Sequence, residues 1–296
     1  MFDRYEHTLD ETFLKETILP FTHEVLVFFD LHYETGPGGK LVMHPSQALE
    51  TWWECTNPMP EVAGLHAVID RLLALPDALT DPKMRAYWRD VKSKVPDLPT
   101  RDVDGTQMFA PAAKFANCRN SEVPELYAVY PFRLSSFEQE NAQLGIAALN
   151  NRGPKGYQGW RQDDIFMAYL GLTEQAREYV VDRASTKHDG SRFPAFWGPN
   201  MDWVPDQTHG GVLMKAFQSM LMQTDGKKIF LQPAWPNDWN AEFKLHAPYK
   251  TVIEGRVENG KLVDLNVTPE ARRKDVISEM TSTKTPMTID EKTMKK

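Results

Sequence analysis

The sequence predicts a mainly α protein, an (α/α)6 toroid of helical hairpins followed by a small antiparallel β-module. Apolar residues recur at helical spacing through the first two thirds of the chain, and long loops rich in tryptophan and proline join these segments. From about Lys228 the spacing changes to that of short strands. We therefore expect a toroid-like catalytic region over 1–227, the β-module over 228–270 and a disordered polar tail over 271–296.

The N-terminal part of the chain carries several helix signals. Asp10 can cap a helix that reaches a kink at Pro20. The stretch after it, which ends at the glycines of 36–39, has four apolar residues on one face: Phe21, Val25, Phe28 and Phe29.

Asn57-Pro58 is typical of a helix start. The apolar residues that follow repeat at helical spacing: Leu65, Val68, Ile69, Leu72 and Leu73. A further helix is predicted over 82–94.

Helical patterns continue in the middle of the chain. Ser135 and Glu138 form a capping-box pattern ahead of apolar residues. Another helix is predicted over 161–170, Thr173 caps the next, and the last covers about 210–223. These seven or eight helices are too few to form six closed hairpins. We therefore expect an incomplete toroid, whose partner is the missing N-terminal portion of a longer chain.

Short strand-like runs follow at the C-terminal end. They read KIFLQ, EFKLHA, TVIEGRV and KLVDLNV. Asn259-Gly260 lies between two of them and is the favoured two-residue hairpin turn. These runs predict the antiparallel β-module.

Composition restricts the class of function. The chain has 296 residues, 41% of them hydrophobic, and a net charge of −7, which disfavours nucleic acid as a partner. No apolar run approaches the roughly 20 residues that span a membrane. Cys55 and Cys118 fit no zinc or redox spacing, so we expect two reduced thiols, no metal and no cofactor. The N-terminus shows no signal peptide.

Three stretches combine carboxylates with aromatic side chains: 120–133, 159–164 and 200–211. Aromatic rings stack on the C–H faces of sugars, and polar groups bind sugar hydroxyls. These stretches therefore predict a carbohydrate-active enzyme whose partner is an oligosaccharide or polysaccharide. Its substrate-binding candidates are Glu50, Trp52, Trp53, Arg133, Trp160, Asp163, Asp164, Asp202, Trp203 and His209.

Glycoside hydrolysis commonly needs one protonated and one ionised carboxyl group. Asp206 is the predicted base, because it precedes a helix whose N-terminus favours the ionised form; Asp202 is the second choice. Glu122 and Glu125 are the predicted acids, since their apolar loop raises a carboxyl pKa.

Structural roles remain open for the same residues. Either glutamate could simply pair with Arg119 or Arg133. Asp163 and Asp164 could only stabilise a helix start. Each tryptophan could belong to the core, and His209 could be a structural histidine.

Four motifs in order resemble the C-terminal half of six-hairpin glycosidases, and most resemble glycoside hydrolase family ninety-five, the α-L-fucosidase and α-L-galactosidase type. They are HPSQALETWW at 44–53, PELYAVYPFR at 124–133, ALNNRGPKGYQGWRQDD at 148–164 and the stretch from GGVLMKAF to PNDW at 210–239. The resemblance implies an inverting hydrolase with its base near Asp206, and a secreted or periplasmic location. Glu125 stands where that family has a histidine, so the chain resembles a divergent member.

Two other functions fit the same residues. A non-catalytic glycan-binding or scaffold protein would show a tryptophan-lined groove without an acid/base pair. A polysaccharide lyase would use Tyr127 or His209 as its base and Arg133 near a uronate carboxylate.

Overall fold

The computed structural model describes residues 1–186 and 208–278. In chain order its helices are α1 (Phe2–Thr8), α2 (Glu11–Phe13), α3 (Leu19–His32), α4 (Met59–Leu73), α5 (Pro82–Lys94), α6 (Ala142–Asn151), α7 (Asp163–Tyr169), α8 (Thr173–Ser185) and α9 (Thr208–Leu221). A π-helical turn, Leu14–Ile18, joins α2 to α3. No helix in the described ranges is both long and apolar enough to cross a bilayer.

Strands occur in both halves of the described chain. They are β1 (Glu34–Thr35), β2 (Leu41–Val42), β3 (Ser46–Ala48), β4 (Trp52–Pro58), β5 (Thr100–Val103), β6 (Thr106–Phe109), β7 (Ala112–Lys114), β8 (Met222–Asp225), β9 (Lys228–Leu231), β10 (Ala241–Ala247), β11 (Thr251–Glu258), β12 (Lys261–Thr268) and β13 (Val276–Ile277). They form small sheets of two or three strands: β1-β2, β3-β4-β7, β5-β6, β8-β9-β13 and β10-β11-β12.

The predicted mainly α toroid followed by a β-module is wrong. The seven strands β1–β7 lie before residue 115, among the segments expected to be helices and loops. Most are only two to four residues long, too short to show an alternating pattern. The longer β4 is held by a distant partner, since Thr56 pairs with Lys114 of β7. Such non-local pairing leaves no mark on local apolar spacing.

The first helical region differs from the prediction in its buried face. Asp10 does cap it, because its carboxylate accepts a hydrogen bond of 3.0 Å from the Phe13 N–H. Pro20 is the second residue of α3 and directly follows the π-helical turn, and the backbone at Ile18 and Leu19 before it is already helical. Phe21 and Phe28 remain 58% and 52% exposed. The face that packs inward carries Leu19, Thr22 and Leu26.

Among the other predicted helices, the one over 82–94 is confirmed as α5. The capping box at Ser135 is wrong, because α6 begins only at Ala142. Glu138 instead forms an ion pair of 2.6 Å with Arg133, and the Ser135 hydroxyl donates to the Asn141 carbonyl. These side-chain bonds fold 133–141 into a loop.

The C-terminal strands include the predicted hairpin. Asn259 and Gly260 both have positive φ, 50° and 75°, as a type I′ turn requires, and they join β11 to β12. Ordered structure continues past residue 270, because Val276–Ile277 pairs in parallel with β9. Buried apolar residues fill the sheets of this region: Ile229, Leu231, Ala247, Ile253 and Val267.

Two larger apolar clusters lie under the helices. One gathers buried side chains of α1, α3, α4 and α5. The other combines α6, α7, α8 and α9 with the loop of 123–134 and adjoining strands. This second cluster supports the loops that carry two of the three predicted functional stretches.

The hairpin turn gives a test of the fold. We expect Gly260→Ala to lower the free energy of unfolding by at least about 1–2 kcal/mol, the usual cost of a left-handed conformation in a residue with a Cβ. Crowding adds to this, because the new Cβ would lie 2.8 Å from Asn237 Oδ1. Urea denaturation measures the change. Gly153→Ala is the matched control, since Gly153 has open space around it and no positive φ. Equal stability of both variants would contradict this turn.

Candidate functional site

Two of the predicted functional stretches meet in one cleft. The cleft encloses about 360 Å³ of empty space, counting the part that is open to solvent. Its lining residues are Leu49, Ser121, Glu122, Val123, Tyr127, Trp160, Arg161, Gln162 and Asp163. Most of this volume is open to solvent: the part that admits a water-sized molecule is about 50 Å³, so the cleft is shallow.

Glu122 is held in the cleft by a reciprocal set of hydrogen bonds. Its Oε2 accepts from the Glu50 N–H at 2.8 Å and from the Thr51 hydroxyl at 3.1 Å. Its own N–H donates to the Thr51 oxygen at 3.0 Å. The Arg119 N–H also donates to the Thr51 carbonyl at 2.8 Å. These bonds fix the position of the Glu122 carboxylate on one wall.

Glu125 lies behind that wall, in the 3₁₀ turn Pro124–Leu126. It is only 6% exposed and is not among the residues that line the cleft. Its Oε2 has no hydrogen-bond partner within the described parts of the chain. Burial raises the pKa of Glu125, and the charges of Arg101 and Arg152 oppose that rise. The carboxyl therefore holds its proton to a higher pH than an exposed glutamate does.

Asp163 and Asp164 open helix α7, and each is paired with a buried arginine. Asp163 Oδ1 accepts from Arg152 Nε at 2.7 Å. Asp164 Oδ2 accepts from Arg183 Nε at 2.7 Å, with both side chains completely buried. Burial raises the pKa of the Asp164 carboxyl, while Arg183 lowers it. Asp163 thus lies at the floor of the cleft, and Asp164 lies below it; a sugar-binding role for either stays a prediction.

Arg183 also fixes the backbone around Trp160. It donates to the carbonyl of Gly159 at 2.9 Å and to that of Arg161 at 2.6 Å. These two carbonyls flank Trp160, so the guanidinium holds the loop that carries this residue of the cleft lining. Sequence reasoning missed this arginine, because a basic residue in the last turn of a helix such as α8 is common without any function.

Three other predicted residues lie away from the cleft lining. His209 is buried at the start of α9, where its Nε2 lies 3.0 Å from the Arg183 carbonyl oxygen. Arg133 is paired with Glu138 and lies over the rings of aromatic neighbours. Trp52 packs edge-on against Phe115. Their functional roles stay predictions.

Glu50 and Trp53 lie at the rim beside Glu122. Trp53 is exposed, donates from its indole N–H to the Glu50 carbonyl at 3.0 Å, and lies under the guanidinium of Arg119. The Glu50 carboxylate accepts from the Asn120 amide at 3.4 Å. The last three candidates, Asp202, Trp203 and Asp206, lie outside the described residues.

Glu61 was missed by the sequence analysis. It lies in the first turn of α4, where an acid normally stabilises the helix, and nothing in the local sequence sets it apart. Burial raises the pKa of its carboxyl to about 7. Its charge contributes to raising the pKa of Tyr127, which lines the cleft.

A second concave surface lies on the outer face of the β10-β11-β12 sheet. Two of its charged residues, Lys244 and Glu254, form an ion pair of 2.8 Å across the strands. Within 1–186 and 208–278, no group of three or more His, Cys, Asp or Glu residues is placed to bind a metal.

Comparison with solved structures shows a likeness of fold. No protein-family model matches the chain, and no curated protein matches it. Among solved structures, a chain described as "Putative kojibiose phosphorylase from human microbiome" matches with a TM-score of 0.53 and 11% sequence identity. The match covers 90% of this chain and 42% of that one, so the present chain spans less than half of that protein's length.

At this identity the likeness concerns the fold alone. It gives no support to family ninety-five in particular, nor to α-L-fucosidase activity.

The buried carboxyl of Glu125 predicts a pH-dependent stability. Its pKa is above the ordinary 4.5 in the folded protein, so the folded state keeps the proton that the unfolded chain releases. The free energy of unfolding should therefore fall as the pH rises from about 4.5 through the folded-state pKa. We expect Glu125→Gln, which carries no titrating proton, to remove this part of the fall.

Urea denaturation of both proteins between pH 5 and pH 9 measures the effect. Glu16→Gln, at an exposed position, should reproduce the wild-type curve. A stability difference between wild type and Glu125→Gln that stays constant with pH would refute the assignment.

The buried ion pair beneath Trp160 predicts a large loss of stability. Asp164→Asn leaves the Arg183 charge buried without its counter-charge, so we expect the free energy of unfolding to fall by about 3–5 kcal/mol. Asp238→Asn is the matched control. It breaks an ion pair of 2.7 Å with Arg177 at the surface, where we expect a loss of about 0–1 kcal/mol. Similar losses in the two variants would contradict the buried position of the Asp164–Arg183 pair.

Proposed function

We propose that this chain is a glycosyl-handling enzyme, a glycoside hydrolase, that binds a sugar ring in the cleft between 121–127 and 160–163. One observation carries the proposal. Glu122 and Trp160 come from separate stretches of the sequence and line the same cleft. A carboxylate beside an indole is the pair of groups that a sugar needs for its hydroxyls and its apolar face. The fold-level likeness to a chain named as a phosphorylase of a disaccharide supports the same class.

Tyr127 supplies a hydrogen-bond donor to this cleft. Burial raises the pKa of its hydroxyl, and the charges of Glu122 and Glu61 raise it further. The hydroxyl therefore stays protonated at neutral pH and donates to a sugar oxygen. The same shift disfavours Tyr127 as the phenolate base of a lyase, so hydrolysis is the better-supported reaction.

Glu122 and Glu125 are the carboxyls that we propose for acid catalysis. Glu122 reaches the cleft, and Glu125 lies behind it with the raised pKa that a general acid needs at neutral pH. Asp206 completes the proposal as the base that activates water. This role and the inverting outcome rest on the resemblance of the motifs to six-hairpin glycosidases.

Phosphorolysis is the second candidate function. Arg161 lines the cleft next to Trp160, and a guanidinium is the group that binds phosphate best in two-point geometry. In a phosphorylase, inorganic phosphate takes the place of the attacking water. Dependence of turnover on phosphate therefore separates the two reactions.

The test is a screen of the purified chain on aryl glycosides and oligosaccharides, with and without inorganic phosphate. We expect sugar release without phosphate, and we expect Glu122→Gln to lower kcat/KM by about 10²–10⁴-fold, the usual contribution of a general acid or base. Glu16→Gln is the matched control and should keep wild-type turnover.

Measurement of ligand binding is an independent test of the same cleft. Trp160→Ala should weaken sugar affinity by about tenfold, in the range of one lost aromatic contact. Phe28→Ala, which removes an exposed ring from α3, should leave affinity unchanged. Unaltered binding and turnover in both Glu122→Gln and Trp160→Ala would refute the proposed cleft.

A further inference from the structure

The guanidinium of Arg161 lines the cleft without a carboxylate partner. Arg161 is half-buried and shares the lining with Trp160 and Glu122. Within 1–186 and 208–278, no carboxylate oxygen lies within 4.0 Å of its side-chain nitrogens, and these nitrogens donate no hydrogen bond. A guanidinium stays charged at neutral pH and carries five N–H donors in a planar fork. These donors are therefore free to bind a ligand.

The position of Arg161 is fixed from several sides. Its N–H donates to the Gln158 carbonyl at 3.1 Å, and its own carbonyl accepts from Arg183 at 2.6 Å. The stem of the side chain packs beside Gly156, where a Cβ would lie 3.4 Å from Arg161 Cδ. The guanidinium carbon lies 5.8 Å from the centre of the Trp160 ring. The loop thus places a charged group next to an indole of the same cleft.

The other charged groups of the cleft lining leave Arg161 unpaired. Asp163 is paired with the buried guanidinium of Arg152. Glu122 is held by neutral donors, and no nitrogen of Arg161 lies within 4.0 Å of its carboxylate. Among the described residues of the lining, Arg161 is the single cation. A ligand in this cleft therefore meets one positive group that the described protein does not neutralise.

A guanidinium beside an indole suits a sugar that carries an acid group. Arginine binds a carboxylate through two parallel N–H···O bonds. A uronic acid has a C–H face that stacks on an aromatic ring, and its carboxylate projects from the edge of the sugar ring. A uronic acid stacked on Trp160 can direct this carboxylate to Arg161, because the two side chains are neighbours. One sugar unit then satisfies both groups.

We propose that Arg161 is the specificity-determining residue of the cleft and binds the carboxylate of a uronic-acid unit. This inference rests on the proposed function, since it takes the cleft to be a sugar site. Inorganic phosphate is the rival oxyanion. It carries up to two negative charges at neutral pH, whereas the described lining offers one unpaired cation and, at Glu122, a carboxylate that repels a dianion. The single charge of a sugar carboxylate fits this balance better.

Carboxyl reduction provides matched probes for the test. Oligosaccharides of glucuronic, galacturonic, mannuronic and guluronic acid are compared with their reduced forms, in which each carboxylate has become a CH₂OH group and the ring and linkage are unchanged. Affinities are measured by titration calorimetry. We expect the wild type to bind an acidic oligosaccharide about 10–100-fold more tightly than its reduced form, the usual contribution of hydrogen bonds to a charged group.

Three variants show whether Arg161 causes the preference. Arg161→Gln should bind the acidic and reduced forms equally, and Arg161→Lys, which keeps the charge but loses the two-point contact, should retain only part of the preference. Arg89→Gln is the matched control, because it removes one positive charge from an exposed position of α5 and should keep the wild-type preference. The backbone bonds of Arg161 do not involve its side chain, so we expect both Arg161 variants to unfold in urea as the wild type does.

The possible failures are distinguishable. Equal wild-type affinity for acidic and reduced probes, or a preference that survives in Arg161→Gln, would overturn the role of Arg161 and leave the sugar cleft in place. Binding of no sugar at all would refute the proposed function, and this inference with it. Inorganic phosphate is titrated in parallel. Phosphate binding that Arg161→Gln abolishes, without any preference for acidic sugars, would assign the guanidinium to phosphate instead.

Discussion

The cleft depends on the buried contacts of Arg183. Its guanidinium pairs with Asp164 and also donates to the carbonyls on either side of Trp160. One charged group in a dry interior thus fixes both the start of α7 and the loop that presents the indole. An interior guanidinium is tolerable only when all its donors are engaged. This requirement leaves the loop one arrangement, whereas a loop held by apolar packing has several.

The opposite wall is held in a different way. Glu122 and Thr51 exchange hydrogen bonds across a long sequence separation, and the strand pairing of β4 with β7 keeps the two segments in register. The carboxylate at the cleft is therefore fixed by the Glu50 N–H and the Thr51 hydroxyl. Asp163, at the floor of the cleft, is paired with the guanidinium of Arg152. The two acids thus differ in their partners, since neutral donors hold Glu122 and a charged one holds Asp163.

The sequence correctly predicted those structural features that depend only on residues close together in the chain. The helix over 82–94, the cap at Asp10 and the Asn259-Gly260 turn each depend on residues adjacent in sequence, and each is found. The β1–β7 strands were missed because their stability comes from distant partners. The candidate site shows the same difference between local features, which could be predicted, and non-local contacts, which could not. Composition singled out the stretches 120–133 and 159–164, which line one cleft, but it did not show the partners of their carboxyls, since Arg152, Arg183 and Thr51 lie elsewhere in the sequence.

Three glutamates around Tyr127 differ in how far they lie from water, and this gradient organises the site. Glu122 and Glu61 are both half-buried, and Glu125 is almost completely buried. Burial raises the pKa of the two inner carboxyls, Glu61 and Glu125. Neighbouring carboxyls that lose their protons in sequence avoid holding two negative charges close together in a poorly solvated region. Acid and base roles on a sugar need carboxyls in different surroundings, and Glu122 and Glu125 differ in burial in this way.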